Sequence, residues 1–294
     1  MLRSVNDLKG FGIVATDGEI GEVEEFYFDD ERWAMRYLVV NTGNWLSGRQ
    51  VLISPFSVMK LDQDNRKLHV TLTKDQVEKS PNIDTHQPVS RQMEAVYSDY
   101  YGYPYYWGGQ FLWGAEESPV LASQRSATAI ATATAQPAIV TATGHPTTTK
   151  ATTPMHVNSA DVHLHSTQEV TSYHIAATDG DIGHAEDFIL EDDNWTIRYL
   201  AIDTRNWLPG KTVIVSPQWI TAIDWAQRKV HLNLSRDGVE HSPEFDSAKL
   251  ISREYETQLH EHYGQPGYWV NYSTNPTGKL RVVRADDSSR QAEA

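Results

Sequence analysis

Two groups of acidic side chains could bind a hard cation through their carboxylate oxygens. The members are Glu22, Glu24, Glu25, Asp29, Asp30 and Glu31 in the first group, and Glu186, Asp187, Glu191, Asp192 and Asp193 in the second. Neither group has the order of glycine and bidentate glutamate that a calcium loop requires. We therefore expect solvated strand faces and turns here, with a cation site as the open alternative.

Histidines form two further groups that could bind a transition metal. They are His156, His163 and His165 with Asp161, and the run His260-Glu261-His262. Residues two positions apart share a face on a strand but not on a helix, and the second group falls in a predicted helix. The first group adjoins a segment that we expect to be disordered. We therefore predict no metal site and no cofactor.

The sequence lacks the motifs of the common catalytic sites. It contains no G-x-S-x-G, no phosphate loop and no H-E-x-x-H. Gly10 and Gly12 fit a truncated dinucleotide fingerprint, but they precede a short strand and a hairpin turn instead of opening a helix. His69 and His231 occupy matched strand positions, where a structural imidazole is expected. We expect a protein that is not an enzyme.

Composition narrows the class of partner. The chain has 294 residues, with 25 Lys and Arg against 39 Asp and Glu, a formal charge of −14, and no cysteine. Such a chain repels nucleic acids and anionic lipids, and it has no disulfides or thiolate metal sites. No apolar run has the length of a membrane span. We therefore expect a cytoplasmic protein without nucleic acid partners or a transmembrane segment, whose contact with membranes, if any, is through a partner.

An internal repeat organises the chain. Ala15 to Gly48 matches Ala177 to Gly210 without a gap, at an offset of 162 positions. The same offset carries Ser54-Pro55 onto Ser216-Pro217, and Tyr106-Trp107 onto Tyr268-Trp269. Duplication of a whole module explains this pattern most simply. The offset provides an internal comparison for every feature below.

The repeat predicts four segments. A first domain spans residues 5–115 and a second spans 167–272. Residues 116–166 are rich in Ala and Thr and predict a flexible linker, with an extra strand over Ala129–Thr143 as the alternative. Residues 273–294 predict a disordered tail.

Within each copy, short apolar runs alternate with turns. Asp17-Gly18 predicts a hairpin turn, and five or six short strands follow one another in about sixty residues. Closure of such a sheet removes its exposed edges, which favours a small β-barrel. Thr73 to Gln76 has the spacing of a capping box, and Val89, Met93, Val96 and Tyr100 recur at helical intervals.

Aromatic residues crowd the end of each copy and are the candidate partner-binding residues. They are Tyr101, Tyr103, Tyr105, Tyr106 and Trp107 in the first copy, Tyr268 and Trp269 in the second, and the loop residues Trp45 and Trp207. They predict either a surface for a protein partner or a segment folded back over its own barrel. For the two loop tryptophans we favour anchoring of the loop.

The repeated pattern resembles a known family. The stretches A-T-D-G-x-I-G-x-x-E-x-F, W-x-x-R-Y-L and N-W-L-x-G occur twice and in the same order. The chain resembles a tandem PRC-barrel protein, related to the cytoplasmic barrel of the photosynthetic reaction-centre H subunit and the C-terminal barrel of the ribosome maturation factor RimM. The resemblance implies two tandem small β-barrels, each followed by short helices, which hold protein partners and have no catalytic residue set.

Two functions remain open. The first is a non-enzymatic scaffold whose two barrels bind protein partners, each other or a second copy of the chain. The alternative is a module for a small ligand or ion, related to stress response or to assembly of a photosynthetic complex.

Overall fold

The structure is mainly β, with a mixed sheet and a few short helices. This computed structural model describes residues 1–81, 89–125, 163–205, 208, 211–274 and 280–283. Within these residues, no helix is both long enough and apolar enough to cross a membrane.

Seven strands of the first repeat recur in the second at the same offset of 162. The first seven are β1 (Leu2–Ser4), β2 (Gly12–Ala15), β3 (Gly18–Asp29), β4 (Ala34–Asn41), β5 (Gln50–Ile53), β6 (Val58–Asp62) and β7 (Lys67–Val70). Their counterparts are β8 (Leu164–Ser166), β9 (His174–Ala177), β10 (Gly180–Glu191), β11 (Thr196–Asp203), β12 (Thr212–Val215), β13 (Ile220–Asp224) and β14 (Lys229–Leu232). The repeat in the sequence is therefore a repeat of secondary structure.

The helices are short, and all except α4 have a counterpart at the same offset. They are α1 (Val5–Leu8), α2 (Lys74–Glu78), α3 (Arg91–Tyr101), α4 (which includes residues 119–125), α5 (Thr167–Val170), α6 (Arg236–Glu240) and α7 (Arg253–His262). The predicted capping box begins α2, because the Thr73 hydroxyl accepts from Gln76 N and the Gln76 side chain accepts from Thr73 N. Ser90 caps α3 in a similar way, by accepting from Met93 N.

Two predicted segments fall largely outside the described residues. Of the linker predicted over 116–166, the ends are described, and they contain α4 and β8; residues 126–162, with the alternative strand, are not. The tail predicted over 273–294 overlaps two strands that sequence analysis missed, β15 (Asn271–Thr274) and β16 (Leu280–Val283), which pair antiparallel. Residues 275–279 and 284–294 lie outside the described part.

The chain divides into two compact units. Unit 1 contains Met1–Ser172 and Asp187–Leu200, and unit 2 contains Tyr173–Glu186 and Ala201–Ala294. Residues 187–200 come from the second repeat, so the units do not coincide with the repeats. The expected picture of two separate barrels is not shown.

Strand pairing follows the same order in the two repeats. In unit 1, β4 pairs antiparallel with β5 and β3, β3 pairs antiparallel with β2, and β2 pairs parallel with β7, which pairs antiparallel with β6. In unit 2, β9 pairs parallel with β14, and β14 pairs antiparallel with β13. The parallel pair makes the sheet mixed.

Unit 1 also contains an exchange of strands between the repeats. The first strand of the first repeat, β1, pairs with β10, with Leu2 opposite Glu191 and Ser4 opposite Ile189. The first strand of the second repeat, β8, pairs with β3, with Leu164 opposite Asp29 and Ser166 opposite Tyr27. The two registers are identical after the offset of 162, so the exchange is reciprocal.

At the centre of this arrangement, β4 pairs antiparallel with β11. Ala34 lies opposite Thr196, Met35 N donates to Trp195 O at 2.8 Å, and Ile197 N donates to Trp33 O at 2.7 Å. Trp33 and Trp195 both have left-handed backbones, with φ of 54° and 61°. A bulky residue is uncommon in this conformation, and here it occurs at the same position of both repeats.

Gly21, the second glycine of the D-G-x-I-G motif, allows β3 to approach its neighbour. A Cβ atom at Gly21 would lie 2.1 Å from the carbonyl oxygen of Asn41. A Cβ atom at Gly183, its counterpart in unit 2, would lie 2.0 Å from the carbonyl oxygen of Asp203. Because backbone atoms cannot move aside cheaply, the motif requires glycine at both positions.

Gly21→Ala is therefore expected to lower the free energy of unfolding by about 1–3 kcal/mol, since the added methyl group overpacks against backbone. Urea unfolding followed by circular dichroism measures the change. Gly12→Ala is the matched control, because the nearest atom to its Cβ is the flexible Lys67 side chain at 3.8 Å. Equal stability of the two variants would contradict this explanation of the motif.

Candidate interaction surface

The residues from Tyr97 to Trp113, here called the aromatic segment, pack largely back onto unit 1. Tyr97 and Trp113 are buried. The Tyr97 hydroxyl donates to the carbonyl oxygen of Leu52, and its ring meets the Tyr37 ring edge-on at 5.3 Å. The second of the two predicted arrangements, folding back over the sheet, therefore applies to these residues.

Three of the candidate residues in this segment lie mainly inside. Tyr106 is buried, and Tyr101 and Tyr103 are half-buried. The Tyr101 and Tyr103 rings stack at 5.3 Å and pack against the hydrophobic cluster around Tyr97. The Tyr103 ring also lies 5.2 Å from Phe56. Most of the apolar surface of these three side chains is therefore covered by other residues of the protein.

The loop tryptophan Trp45 is half-buried. Its indole nitrogen donates to the carbonyl oxygen of Ile20, and the Lys74 ammonium lies 4.6 Å from its ring. These contacts fit an anchor for the loop between β4 and β5. Trp207, its counterpart in the second repeat, lies outside the described residues.

Beneath the aromatic segment lies a buried ion pair that sequence analysis missed. Arg36 and Asp29 are both buried, and Arg36 Nη2 donates to Asp29 Oδ2 at 2.7 Å. The Arg36 guanidinium lies 3.7 Å from the centre of the Tyr106 ring and donates to the carbonyl oxygen of Leu112 at 2.9 Å. One guanidinium thus connects the sheet to two residues of the aromatic segment.

A second buried carboxylate, that of Glu94 on α3, binds the same tyrosine. Tyr106 Oη donates to Glu94 Oε2 at 2.5 Å, and Arg91 Nη1 donates to Glu94 Oε1 at 3.1 Å. Arg91 Nη1 also donates to Tyr106 Oη at 2.7 Å. Burial raises the pKa of Glu94 from its ordinary 4.5 to about 7, against the opposing effects of Arg91 and Tyr106.

The same residue types recur in the second repeat. Tyr268 Oη donates to Glu256 Oε1 at 2.9 Å, and Arg253 Nη1 lies 2.8 Å from Glu256 Oε2. The Arg253 guanidinium lies 4.2 Å from the Trp269 ring and 5.2 Å from the Tyr268 ring. Tyr268 and Trp269 are both half-buried, so these two candidate residues also contact their own repeat. Each carboxylate binds an arginine and a tyrosine, an arrangement that fastens the aromatic residues to a helix.

A signal for this network was present in the sequence. Arg36, Arg91 and Glu94 reappear as Arg198, Arg253 and Glu256 at the offset of 162. Asp29 reappears as Glu191, which keeps the carboxylate and accepts from Arg198 Nε at 2.8 Å. Charged residues of opposite sign that are retained at matched positions of both copies, among apolar neighbours, indicate ion pairs.

Besides Phe111, which is 46% exposed, the aromatic segment has a solvent-facing part that adjoins α3. We call Val96, Asp99, Tyr100, Tyr105 and Trp107 the exposed face. Val96, Tyr100 and Tyr105 are 49%, 41% and 36% exposed. Tyr105 stacks on the half-buried Trp107 at 4.8 Å, and its hydroxyl donates to Asp99 Oδ1 at 2.7 Å. Of the candidate residues in the first copy's segment, Tyr105 and Trp107 alone contribute to this face.

The described residues include no group of three or more His, Asp or Glu side chains arranged to hold a metal ion. The histidines of the predicted groups have other contacts. His165 Nε2 lies 3.2 Å from Asp30 Oδ2, and the buried His260 lies 3.0 Å from the carbonyl oxygen of Pro266 through Nδ1. His156 and Asp161 are outside the described residues.

Comparison with known protein families agrees with the fold described for unit 1. A PRC-barrel domain is detected at residues 2–77. The match extends from β1 through all seven strands of the first repeat and reaches α2, so the PRC-barrel domain includes Trp45, Asp29 and Arg36. It stops before α3 and the aromatic segment. No curated protein matches the chain.

The buried Glu94 predicts a pH-dependent stability. An acid whose pKa is raised on folding keeps its proton in the native state while the unfolded chain releases it, so the stability that Glu94 contributes is fully present below pH 4.5 and is lost up to about pH 7. A shift of this size corresponds to a loss of about 3 kcal/mol. Glu94→Gln is expected to reduce the loss measured by urea unfolding at pH 5 and pH 8.

Glu117→Gln serves as the control, because it removes an exposed carboxylate close to the aromatic segment. This variant should keep the pH dependence of the wild type. An unchanged pH dependence in Glu94→Gln would show that another group is responsible.

Proposed function

We propose that the protein is a non-enzymatic interaction protein built from two PRC-barrel modules, and that the exposed face of the first repeat binds a partner protein. The detected PRC-barrel domain supports the first module. The second module is supported by seven strands that recur at a constant offset and by the matching glycines Gly21 and Gly183. The relation to the reaction-centre H subunit and to RimM, in which such barrels hold protein partners, is part of this proposal.

The observation that carries the proposal is a difference between the repeats. Val96 and Tyr100 lie one turn apart on α3 and are exposed, whereas their counterparts on α7 are the exposed polar residues Gln258 and His262. The fold does not require apolar residues here, because the second repeat forms the same helix without them. Tyr100 also donates to the carbonyl oxygen of Gln76 at 2.8 Å, but His262 makes the equivalent contact with the carbonyl oxygen of Gly238 at 2.7 Å, so this contact does not require a tyrosine. Exposed apolar and aromatic side chains of this kind are typical of protein interfaces.

At position 105, too, the first repeat has an exposed aromatic residue that the second repeat lacks. Tyr105 extends the exposed face of the first repeat, but its counterpart is Gly267, where a Cβ atom would lie 2.4 Å from the Trp269 ring. In the second repeat the tryptophan ring thus occupies the space next to this position. The first repeat instead adds a second ring, which stacks on Trp107. Only the first repeat presents this stacked pair.

The charge of the protein indicates which kind of partner surface would complement it. The exposed face carries Asp99 among its aromatic residues, and the chain has a formal charge of −14. Complementary charge speeds association and disfavours wrong partners. We therefore expect a partner whose contact surface is apolar at its centre and basic at its rim.

The buried network fits an interaction protein better than an enzyme. Asp29 and Glu94 are bound by arginines and lie beneath aromatic rings. A general acid or base must reach a substrate, whereas these groups are 1–2% exposed. Their contacts instead hold α3 and the aromatic segment in place, and this rigidity preserves the exposed face.

Exchange of the residues between repeats tests this proposal. The variant Val96→Gln with Tyr100→His introduces into the first repeat the residues that the second repeat has. Chemical cross-linking in cell extract, followed by mass spectrometry, should recover specific proteins with the wild type and lose them with this variant. The loss should occur with little change in the unfolding midpoint, because Val96 is exposed and a histidine at position 100 can keep the contact with the Gln76 carbonyl oxygen, as His262 does with Gly238.

The matched control is Gln258→Ala with His262→Ala, which alters the same helix face in the second repeat. It should retain the wild-type partners. The proposal is wrong if the first variant keeps every partner, or if both variants lose the same ones.

A further inference from the structure

The two exchanged strands, β1 and β8, are fastened by different cations at equivalent positions. On β1, Arg3 Nε donates to Asp192 Oδ2 at 2.6 Å. On β8, the equivalent residue is His165, whose Nε2 lies 3.2 Å from Oδ2 of Asp30, the counterpart of Asp192. The aspartate is the same in both repeats, and the side chain that binds it differs. Asp192 also accepts from the N-terminal ammonium of Met1 through Oδ1, a contact that β8 does not have.

A second histidine, His163, also lies near the carboxylates next to β8. His163, just before β8, has Nδ1 3.5 Å from Glu31 Oε1 and 3.8 Å from Asp30 Oδ1. Asp30 Oδ1 is buried and has no hydrogen-bond partner, so a positive charge on His163 would face it directly. The end of β8 thus places two histidines against two carboxylates.

The surroundings of these histidines are acidic or aromatic. The Phe28 ring on β3 lies 6.1 Å from the His165 ring, and Glu25 on β3 accepts a hydrogen bond from Ser166, the next residue of β8. Asp30 and Glu31 follow β3 directly. The described charged groups in contact with β8 from β3 and its following turn, Glu25, Asp30 and Glu31, are therefore all carboxylates.

Arginine on β1 and histidine on β8 differ in how their charge depends on pH. An arginine keeps its charge throughout the physiological pH range, whereas histidine changes charge between about pH 5 and 8. Aspartate and glutamate are ordinarily ionised in this range. The contacts of β8 with Asp30 and Glu31 therefore depend on residues of a type that changes charge in this range, whereas the ion pair of Arg3 on β1 does not.

We propose that β8 is a pH-sensitive strand, which pairs firmly with β3 when His163 and His165 are protonated and loosens when they are neutral. Its counterpart β1 remains paired at both pH values. Release of β8 uncovers the backbone of Tyr27, Phe28 and Asp29 on one side of β3. An uncovered strand edge can accept a strand from another protein.

Hydrogen–deuterium exchange of the full chain tests the proposal, with β1 as an internal reference. Peptides that cover residues 163–172 and 1–10 are compared at pH 5.5 and pH 8.0, after correction for the chemical exchange rate at each pH. Between these values, protection of the β8 amides should fall about threefold or more relative to the β1 amides, as expected for loss of two partly exposed ion pairs. Parallel changes in the two strands would overturn the proposal.

Two variants exchange the cations. His165→Arg should make β8 less sensitive to pH, and Arg3→His should make β1 sensitive. Because each variant introduces the residue that the other repeat has, both are expected to fold, and circular dichroism verifies this. The N-terminal ammonium of Met1 still binds Asp192 in Arg3→His, so the decisive variant is His165→Arg. If His165→Arg folds and its β8 protection keeps the full pH dependence of the wild type, the histidine is not the cause and the proposal fails.

Discussion

The antiparallel pairing of β4 with β11 is the contact on which the rest of unit 1 depends. Two backbone hydrogen bonds, from Met35 to Trp195 and from Ile197 to Trp33, join equivalent positions of the two repeats. The left-handed turns at the two tryptophans direct their carbonyl oxygens into this pairing. Because both bonds are related by the same offset of 162, the contact is symmetric. That symmetry is also seen in the exchange of β1 and β8, which pair with the strands that precede the two turns.

The buried charges follow from this construction. Every residue of β4 from Ala34 to Val40 is buried, including Arg36. A buried guanidinium must be neutralised, and Asp29, on the neighbouring β3, provides the carboxylate. The aromatic rings of Tyr106 and Trp113 then cover the guanidinium, at 3.7 and 4.7 Å. The position of the aromatic segment, and with it the exposed face, is thus determined by an ion pair inside the sheet.

Much of the local structure could be predicted from the sequence, and the long-range pairing could not. The hairpin at Asp17-Gly18, the capping box at Thr73 and the five or six strands predicted in each copy depend on residues close in the chain or on direct comparison of the copies. The first strand of each repeat, β1 or β8, was missed, because both lie outside the predicted domains. The exchange of β1 and β8 depends on which of two equivalent strands each one pairs with. Since β3 and β10 have the same pattern, the sequence cannot distinguish pairing within a repeat from pairing between repeats. The sequence also could not predict which aromatic residues are buried, because Tyr105 and Tyr106 are adjacent and of the same type, yet only Tyr106 is buried.

A disulfide between β4 and β11 tests the central contact most directly. The hydrogen bonds flank Ala34 and Thr196, so these residues form a non-hydrogen-bonded pair with Cα atoms about 4.5 Å apart, within the span of a disulfide. The chain has no cysteine, so Ala34→Cys with Thr196→Cys introduces the only two thiols. Mild oxidation should give an intramolecular bond, seen as a dithiothreitol-sensitive shift on gels and as a linked peptide by mass spectrometry, with neither signal in the single variants. Thiols that stay free, or that form only links between chains, would contradict the account.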